Sequence, residues 1–219
     1  MASRLIHLAV TEGLIVRRGL ADAERLRFGS ILPDAVGTRR ESGVAHFKIT
    51  LCSGSRRTYD LTAFRELFGE RMRADCLYLG YYLHLIQDMS FRNYLYVLHR
   101  WDPTPPGNVA RLHSDYLLLN RHVAGRYGLR DGLTLPDGFG SEPLNRIAKY
   151  LPGKLLEALR ADFLPAEAEP GKSFFFTSEM ADEYISLSTE LCLKELDALE
   201  RGGSCFDERE WSWKTAAPR

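Results

Sequence analysis

The chain has 219 residues, of which 45% are hydrophobic and 26% are charged. This length and composition are typical of one large soluble domain, and they exclude wholesale disorder and fibrous folds. The 29 basic and 29 acidic residues give a formal net charge of zero, which argues against a broad electropositive surface. We therefore expect no nucleic acid duplex as a partner.

The cysteines and the amino-terminal segment bear on the compartment. The four cysteines lie far apart and form no CxxC pair, so the spacing of a zinc ribbon is absent. The sequence MASRLIHLAV lacks the long apolar stretch and cleavage site of a signal peptide. No uncharged apolar run reaches the roughly 18 residues of a membrane span. We therefore expect a cytoplasmic protein without a membrane span, and we leave its oligomeric state open.

The first third of the chain alternates short helical segments with turns. Residues 4–18 and 21–32 have the apolar spacing of short amphipathic helices, and Gly19 is a plausible end for the first. Residues 44–51, VAHFKITL, resemble a strand or an extended segment between helices. A further helix is predicted to begin at Asp60 and to run to about Met72.

The strongest helical signal covers residues 74–99, which contain no proline and are apolar on most of the helix circumference. A helix of this kind usually lies at the centre of its fold. Residues 109–127 are predicted to form another helix. The Gly/Pro-rich residues 128–143 are predicted to be a long loop, either a lid or a plain surface loop.

The remaining segments complete the fold prediction. Residues 147–163 suggest a helical turn and a helix, and residues 177–201 a helix capped by Thr177. The sum is an all-α domain of five to seven helices over residues 1–205, with at most a trivial sheet. Residues 206–219 are expected to be a loosely held tail.

Within the central helix, His84 and Asp88 have i, i+4 spacing and therefore lie one turn apart on one face. Burying a carboxylate in so apolar a helix costs several kcal/mol unless it is paired or bound to a metal. Two explanations are open: a buried His–Asp hydrogen bond, or a clasp for a divalent cation. Gly80 lies on this face and would let a backbone or a ligand approach closely.

Three more ionisable residues lie in apolar segments: His7 in LIHLAV, Asp34 in SILPDAV and His46 in VAHFKI. Each of them alone is most simply a core or turn residue. Three histidines and two aspartates in apolar settings are more than packing needs. Imidazoles and carboxylates are the ligands of hydrolytic zinc, manganese and iron sites.

The series HLAV, ILPDAV, AHF and LGYYLHLIQD resembles the zinc-dependent phospholipase C family and its relatives with the phospholipase C/P1 nuclease fold. The resemblance covers residues 1–90. It implies an all-α fold with zinc as the first choice of metal, while the ligand types leave manganese or iron open as alternatives. Matched residue by residue, it implies a set of five metal ligands: His7, Asp34, His46, His84 and Asp88.

The sequence also departs from that family. The secreted members use a processed amino-terminal residue as a ligand, and no signal peptide is visible here. They also carry a later His and an HxxxE motif, whereas neither His113 nor His122 is followed by Glu four residues on. These departures predict a smaller site of one or two metals.

The predicted activity is metal-assisted hydrolysis of a small phosphorylated substrate. Asp34, as a ligand bridging two ions, would be the catalytic residue that orients the metal-bound hydroxide. Arg92 is a candidate for binding phosphate. Asp115 and Asn120 on the 109–127 helix are candidate substrate contacts, although a solvated helix face is the simpler explanation for them.

Two other functions compete with this prediction. The chain is alternatively a non-catalytic helical protein with a structural or degenerate metal site. An HD-type phosphohydrolase is disfavoured because the sequence contains no adjacent His-Asp dipeptide.

Overall fold

The computed structural model describes residues 2–164 and 173–214. Within these ranges the chain forms eight α-helices and one three-stranded antiparallel sheet. The helices are α1 (Arg4–Arg18), α2 (Ala23–Ile31), α3 (Arg39–Ala45), α4 (Leu61–Ala74), α5 (Cys76–Asn93), α6 (Asn108–Arg126), α7 (Pro152–Phe163) and α8 (Ser178–Glu200). The strands are β1 (Lys48–Leu51), β2 (Arg56–Tyr59) and β3 (Trp213–Lys214). This mostly helical architecture agrees with the predicted all-α class, with one helix more than expected.

Helix α5 is the centre of the fold, as its apolar circumference predicts. Its side chains are buried without interruption from Gly80 to Phe91. It packs against α2, α4 and α8, while α1 packs against α2, α6 and α8. Among the described residues, no helix has both the length and the apolarity needed to cross a membrane.

The predicted central helix of residues 74–99 is shorter in the structure. At its start, the Asp75 side chain accepts a hydrogen bond from the backbone N–H of Leu77, so that Asp75 caps α5 and separates it from α4. At its end, the helix widens into a π-helical turn over Tyr94–Leu98. Arg100 follows with a positive φ of 53°, which turns the chain away from the helix axis.

The predicted strand of residues 44–51 is half correct. Val44 and Ala45 belong to the end of α3, and only Lys48–Leu51 form a strand. His46 is therefore the C-cap of a helix rather than part of an extended segment, and its backbone N–H bonds the Ser42 carbonyl. Local helix capping outweighs the β-propensity of the sequence here.

The described part of the expected tail contacts the rest of the fold. Phe206 is buried, and Trp213 pairs with Arg57 to add β3 to the sheet. Ser212 also accepts a hydrogen bond from Arg56. Aromatic burial and strand pairing thus connect residues 206–214 to the domain. Residues 215–219 lie outside the described part of the chain.

The 128–143 segment is irregular, as predicted, and it is anchored to the helices. Glu142 at its end accepts hydrogen bonds from Arg25 and from the Tyr78 hydroxyl. Phe139 packs edge-on against Phe28 of α2. These contacts attach the carboxyl-terminal end of the surface loop to α2 and α5.

Candidate metal centre

Three histidines and two aspartates that are far apart in sequence meet in the core. His7 comes from α1 and His46 from the end of α3, while α5 supplies both members of the HxxxD pair. Asp34 ends the short 3-10 turn that follows α2. The structure thus brings together all five predicted ligands: His7, Asp34, His46, His84 and Asp88.

The cluster is almost closed to solvent. The side chains of His7, His46 and Asp88 are fully buried, and His84 is also buried. Asp34 alone among the five is partly accessible, with 11% of its side chain exposed. Asp34 therefore marks the open edge of the cluster.

Each imidazole ring is oriented by a hydrogen bond at its Nδ1 atom, and each distance is 2.8 Å. His46 bonds the Ser42 carbonyl oxygen, His84 the Ser30 carbonyl oxygen and His7 the Gln87 Oε1 atom. An oxygen acceptor requires Nδ1 to carry the hydrogen, so that a neutral ring presents a bare Nε2 atom. Fixing the ring and its tautomer in this way is what second-sphere partners do for metal-bound histidines.

The Nε2 atoms point toward one another and toward the carboxylates. The Nε2 atoms of His46 and His84 are 3.2 Å apart. His46 Nε2 also lies 3.4 Å from an Asp34 oxygen and 3.6 Å from an Asp88 oxygen. If both rings are neutral, the lone pairs of the two Nε2 atoms repel each other at this distance. A cation bound by both nitrogen atoms would remove this repulsion.

Two of the inward atoms have no hydrogen-bond partner. His7 Nε2 and Asp34 Oδ1 are buried and unsatisfied within the described part of the chain. Buried polar atoms are rarely left without a partner, because the loss of water costs about 1–3 kcal/mol for each one. Both atoms are of the kinds that bind transition metals, so the donor set fits a divalent cation.

The ligand atoms form two overlapping groups. One contains His7, Asp34 and His84, and the other contains His46, His84 and Asp88. Within each group the candidate ligand atoms lie within 4.8 Å of one another. His84 belongs to both groups, which places it at the centre of the cluster.

The electrostatics keep the ligands in the forms that bind metals. Burial and the neighbouring His7 lower the pKa of His84 to about 3, so this ring is neutral at pH 7. Burial would raise the pKa of Asp34, but the neighbouring His46 and His84 rings lower that pKa to about 2. The pKa of Asp88 is also held well below its ordinary value against the effect of burial, in part by its electrostatic interaction with the adjacent His84 and His7 rings.

Asp88 is held in place from two further directions. Its Oδ2 atom accepts a hydrogen bond of 3.2 Å from the Tyr59 hydroxyl, and its Oδ1 atom accepts one of 2.9 Å from the backbone N–H of Ala2. The Arg92 Nε atom donates to the Tyr59 oxygen at 3.0 Å. Arg92, a predicted substrate contact, is thus connected to the cluster through a single phenol.

The other two predicted substrate contacts are hydrogen-bonded within the fold. The Asp115 carboxylate is buried and accepts hydrogen bonds from three successive backbone N–H groups, those of residues 174–176. Asn120 is buried and donates to the Asp162 carboxylate. The polar atoms of both residues are therefore engaged in tertiary structure, and their contact with substrate stays a prediction. The simpler explanation, a solvated helix face, is wrong because both residues are buried.

Sequence reasoning missed two residues that orient the ligands. Gln87 is buried beside Asp88 in the string LIQD and fixes His7, and a polar amide in so apolar a helix was an available signal. Tyr59 lies in a short strand whose approach to Asp88 has no local signature.

Comparison with models of known protein families, with curated proteins and with solved structures found no match to this chain.

Proposed function

We propose that this protein is a metal-dependent hydrolase of phosphate esters whose one- or two-metal site activates water. The observation that carries the proposal is the inward convergence of three Nε2 atoms and two carboxylates, with every Nδ1 atom already bonded to the protein. A hydrogen-bonded structural cluster does not need three rings that all present Nε2 to its interior. Zinc is the first choice of metal, and manganese and iron accept the same ligands.

Asp34 is the proposed catalytic residue because it lies at the open edge of the cluster. A bound divalent cation supplies Lewis acidity and lowers the pKa of a coordinated water. With a pKa of about 2, Asp34 is ionised at neutral pH, so its oxygen would be able to accept a hydrogen bond from such a water. The Asp34 carboxylate would thereby orient the water for attack on the phosphate ester.

The resemblance to the phospholipase C/P1 nuclease group supports the same proposal. Four short motifs with five ionisable residues occur in the expected order, and these residues meet in a mostly helical fold. Membership in that group is part of the proposal. The small substrate is proposed to be a soluble phosphorylated compound.

A second candidate function is a non-catalytic protein stabilised by a structural metal. The specific observation in its favour is the burial of four of the five ligands, whose residues are inaccessible to solvent. Structural sites are typically closed, whereas catalytic sites keep an open position. The exposed edge at Asp34 is what favours catalysis here.

Metal analysis of the purified protein tests the proposal. We expect the wild-type protein to contain close to one or two equivalents of a transition metal, and His84→Ala to lose most of it. His113→Ala is the matched control, because His113 is exposed on α6 and outside the cluster. Less than about a tenth of an equivalent in the wild type, with no uptake on addition, would exclude a metal centre.

Asp34→Asn separates catalysis from structure. The amide retains one oxygen ligand but loses the charge that orients water. If the site is catalytic, this variant keeps a large part of its metal and loses hydrolysis of a phosphomonoester and phosphodiester panel. No hydrolysis by the metal-loaded wild type, together with unfolding on metal removal, would establish the structural function instead.

A further inference from the structure

One face of the small sheet carries a row of basic and aromatic side chains. The antiparallel register pairs Lys48 with Tyr59, and Arg57 with Trp213. Cross-strand partners lie on the same face, and so do residues two apart on one strand. Lys48, Arg57, Tyr59 and Trp213 therefore share one face of the sheet.

Arg92 of α5 adds a third cation to this face. Its guanidinium carbon lies 4.5 Å from the ring centroid of Trp213 and 5.9 Å from that of Tyr59. The ammonium nitrogen of Lys48 lies 5.7 Å from the Tyr59 centroid. The basic face, defined here as Lys48, Arg57 and Arg92, is thus assembled around two aromatic rings.

Within the described part of the chain the basic face forms no direct ion pair, although the Asp88 carboxylate, one phenol away, interacts electrostatically with Lys48 and Arg92. Among the described residues, no carboxylate lies within 4.0 Å of a charged atom of Lys48, Arg57 or Arg92, whereas many other arginines in the chain form ion pairs. Arg92 donates to the phenols of Tyr59 and Tyr96.

The basic face adjoins the candidate metal centre. The Tyr59 hydroxyl receives a hydrogen bond from Arg92 and donates one to Asp88, so one phenol separates the cations from a predicted ligand. Like charges are costly to hold together without an anion. Guanidinium and ammonium groups on a firm support are the usual recognition elements for phosphate.

We propose that Lys48, Arg57 and Arg92 form an anion-binding site that holds the phosphate group of the substrate beside the metal centre. That the bound phosphate belongs to a substrate rests on the proposed function, whereas anion binding at this site needs no metal. Its ligand is a phosphate monoester or the phosphate of a larger ester. The three residues are specificity-determining, because they select a substrate by its charge.

The opposite face of the same strand supplies a matched control. Arg56 neighbours Arg57 but points to the other side of the sheet, where it bonds the Ser212 hydroxyl and carbonyl. Substituting Arg56 removes the same charge from the same strand. A general loss of positive charge would affect both variants, whereas loss of the anion site would affect Arg57 alone.

The test is calorimetric titration of inorganic phosphate into the wild type, Lys48→Gln, Arg57→Gln and Arg56→Gln, each before and after metal removal. Thermal melting would confirm that every variant is folded. We expect the wild type to bind phosphate in both states. Affinity should fall about tenfold in Lys48→Gln and in Arg57→Gln, as for one charge-assisted hydrogen bond, and remain unchanged in Arg56→Gln.

The outcomes separate this inference from the proposed function. Phosphate binding that is unaffected by Lys48→Gln and Arg57→Gln, in a protein that holds its metal, would overturn the anion site and leave the hydrolase proposal standing. Phosphate binding that depends on these residues, in a protein that takes up no metal, would support the site and exclude the hydrolase. Equal loss in Arg56→Gln would overturn the site.

A second experiment distinguishes a soluble phosphate ester from a lipid headgroup as the ligand of this site. Glycerol phosphate represents a soluble ester, and phosphatidylcholine vesicles carrying phosphatidic acid represent a lipid headgroup. Competition between glycerol phosphate and inorganic phosphate supports a soluble ligand. Vesicle capture that requires Lys48 and Arg57 supports the same site with a lipid ligand. Failure of both ligands to bind would overturn the site as a phosphate-ester site.

Discussion

Gly29 of α2 and Gly80 of α5 lie at the point where the two helices cross, and neither position has room for a side chain. A β-carbon on Gly80 would lie 2.3 Å from the Leu26 carbonyl oxygen, and one on Gly29 would lie 2.2 Å from the Leu77 carbonyl oxygen. The close approach brings the Ser30 carbonyl to His84 Nδ1 at 2.8 Å. The two glycines therefore set the position of His84, the central residue of the cluster.

Gly80→Ala should destabilise the protein and weaken the metal centre together. The new methyl group would meet backbone, which cannot rotate away, so α2 must shift. We expect the free energy of unfolding to fall by about 3 kcal/mol, at the upper end of overpacking effects. Chemical denaturation and metal analysis would measure the two effects.

Gly125→Ala is the control for this prediction. Gly125 lies in α6, and a β-carbon added there would have no described atom outside its own helix turn within 4 Å. The substitution should therefore be neutral or stabilise the protein by about 0.4–1 kcal/mol. A Gly80→Ala variant as stable as Gly125→Ala would show that the crossing tolerates a side chain.

Gln87 is expected to increase the affinity of the site for metal without being a ligand itself. Its Oε1 atom accepts from His7 Nδ1, which leaves Nε2 bare. Gln87→Met keeps the volume and removes the acceptor, and we expect metal affinity to fall about 10–100-fold. Gln87→Glu keeps an acceptor oxygen and should retain more metal. Competition with a chelator would rank the variants, and equal losses in both would show that Gln87 does not control the tautomer of His7.

The candidate metal ligands are easier to predict from the sequence than the residues that orient them. The HxxxD spacing on one apolar helix is local, so His84 and Asp88 are predictable from helix geometry alone. His7, Asp34 and His46 depend on tertiary contacts between separate elements, and the family resemblance is what grouped them. Their convergence in space follows from packing that no single segment encodes.

The features that the sequence leaves undecided have the same physical origin. Asp115 is a buried carboxylate on a helix, and from sequence it cannot be told whether a ligand or a backbone segment satisfies it. The partners are residues 174–176, about sixty positions away. The basic face was equally hidden, because β1, β2 and β3 come from two ends of the chain and their register decides which side chains align.

Asp115→Ala should reduce stability without affecting metal content. Removal of the carboxylate leaves three backbone N–H groups without their acceptor, and we expect a loss of about 3 kcal/mol in the free energy of unfolding. Asp131→Ala is the control, since Asp131 is exposed and bonds its neighbour Gly132, and should change stability by less than about 0.5 kcal/mol. A stable Asp115→Ala protein with a raised KM for phosphate esters would support the substrate-binding hypothesis.

The metal-free protein should lose stability as the pH falls from about 6.5 toward 3. The pKa of His84 is about 3 in the folded protein and about 6.5 in an unfolded chain, because burial and His7 disfavour the charged ring. Between these values the unfolded state binds one more proton, so protonation favours unfolding. The contribution of His84 alone is about 2 kcal/mol between pH 7 and pH 5.

His84→Gln isolates this effect, because the amide can still donate to the Ser30 carbonyl but does not titrate. We expect the unfolding free energy of the variant to depend less steeply on pH between 7 and 5 than that of the wild type. Above pH 4.5 the carboxylates of Asp34 and Asp88 stay ionised in the folded state, since both have lowered pKa values, and they add little there. Denaturation curves at several pH values would give both slopes. Identical slopes would mean that His84 is already protonated in the folded metal-free protein, so that its Nε2 atom carries a hydrogen and is not ready to bind a cation.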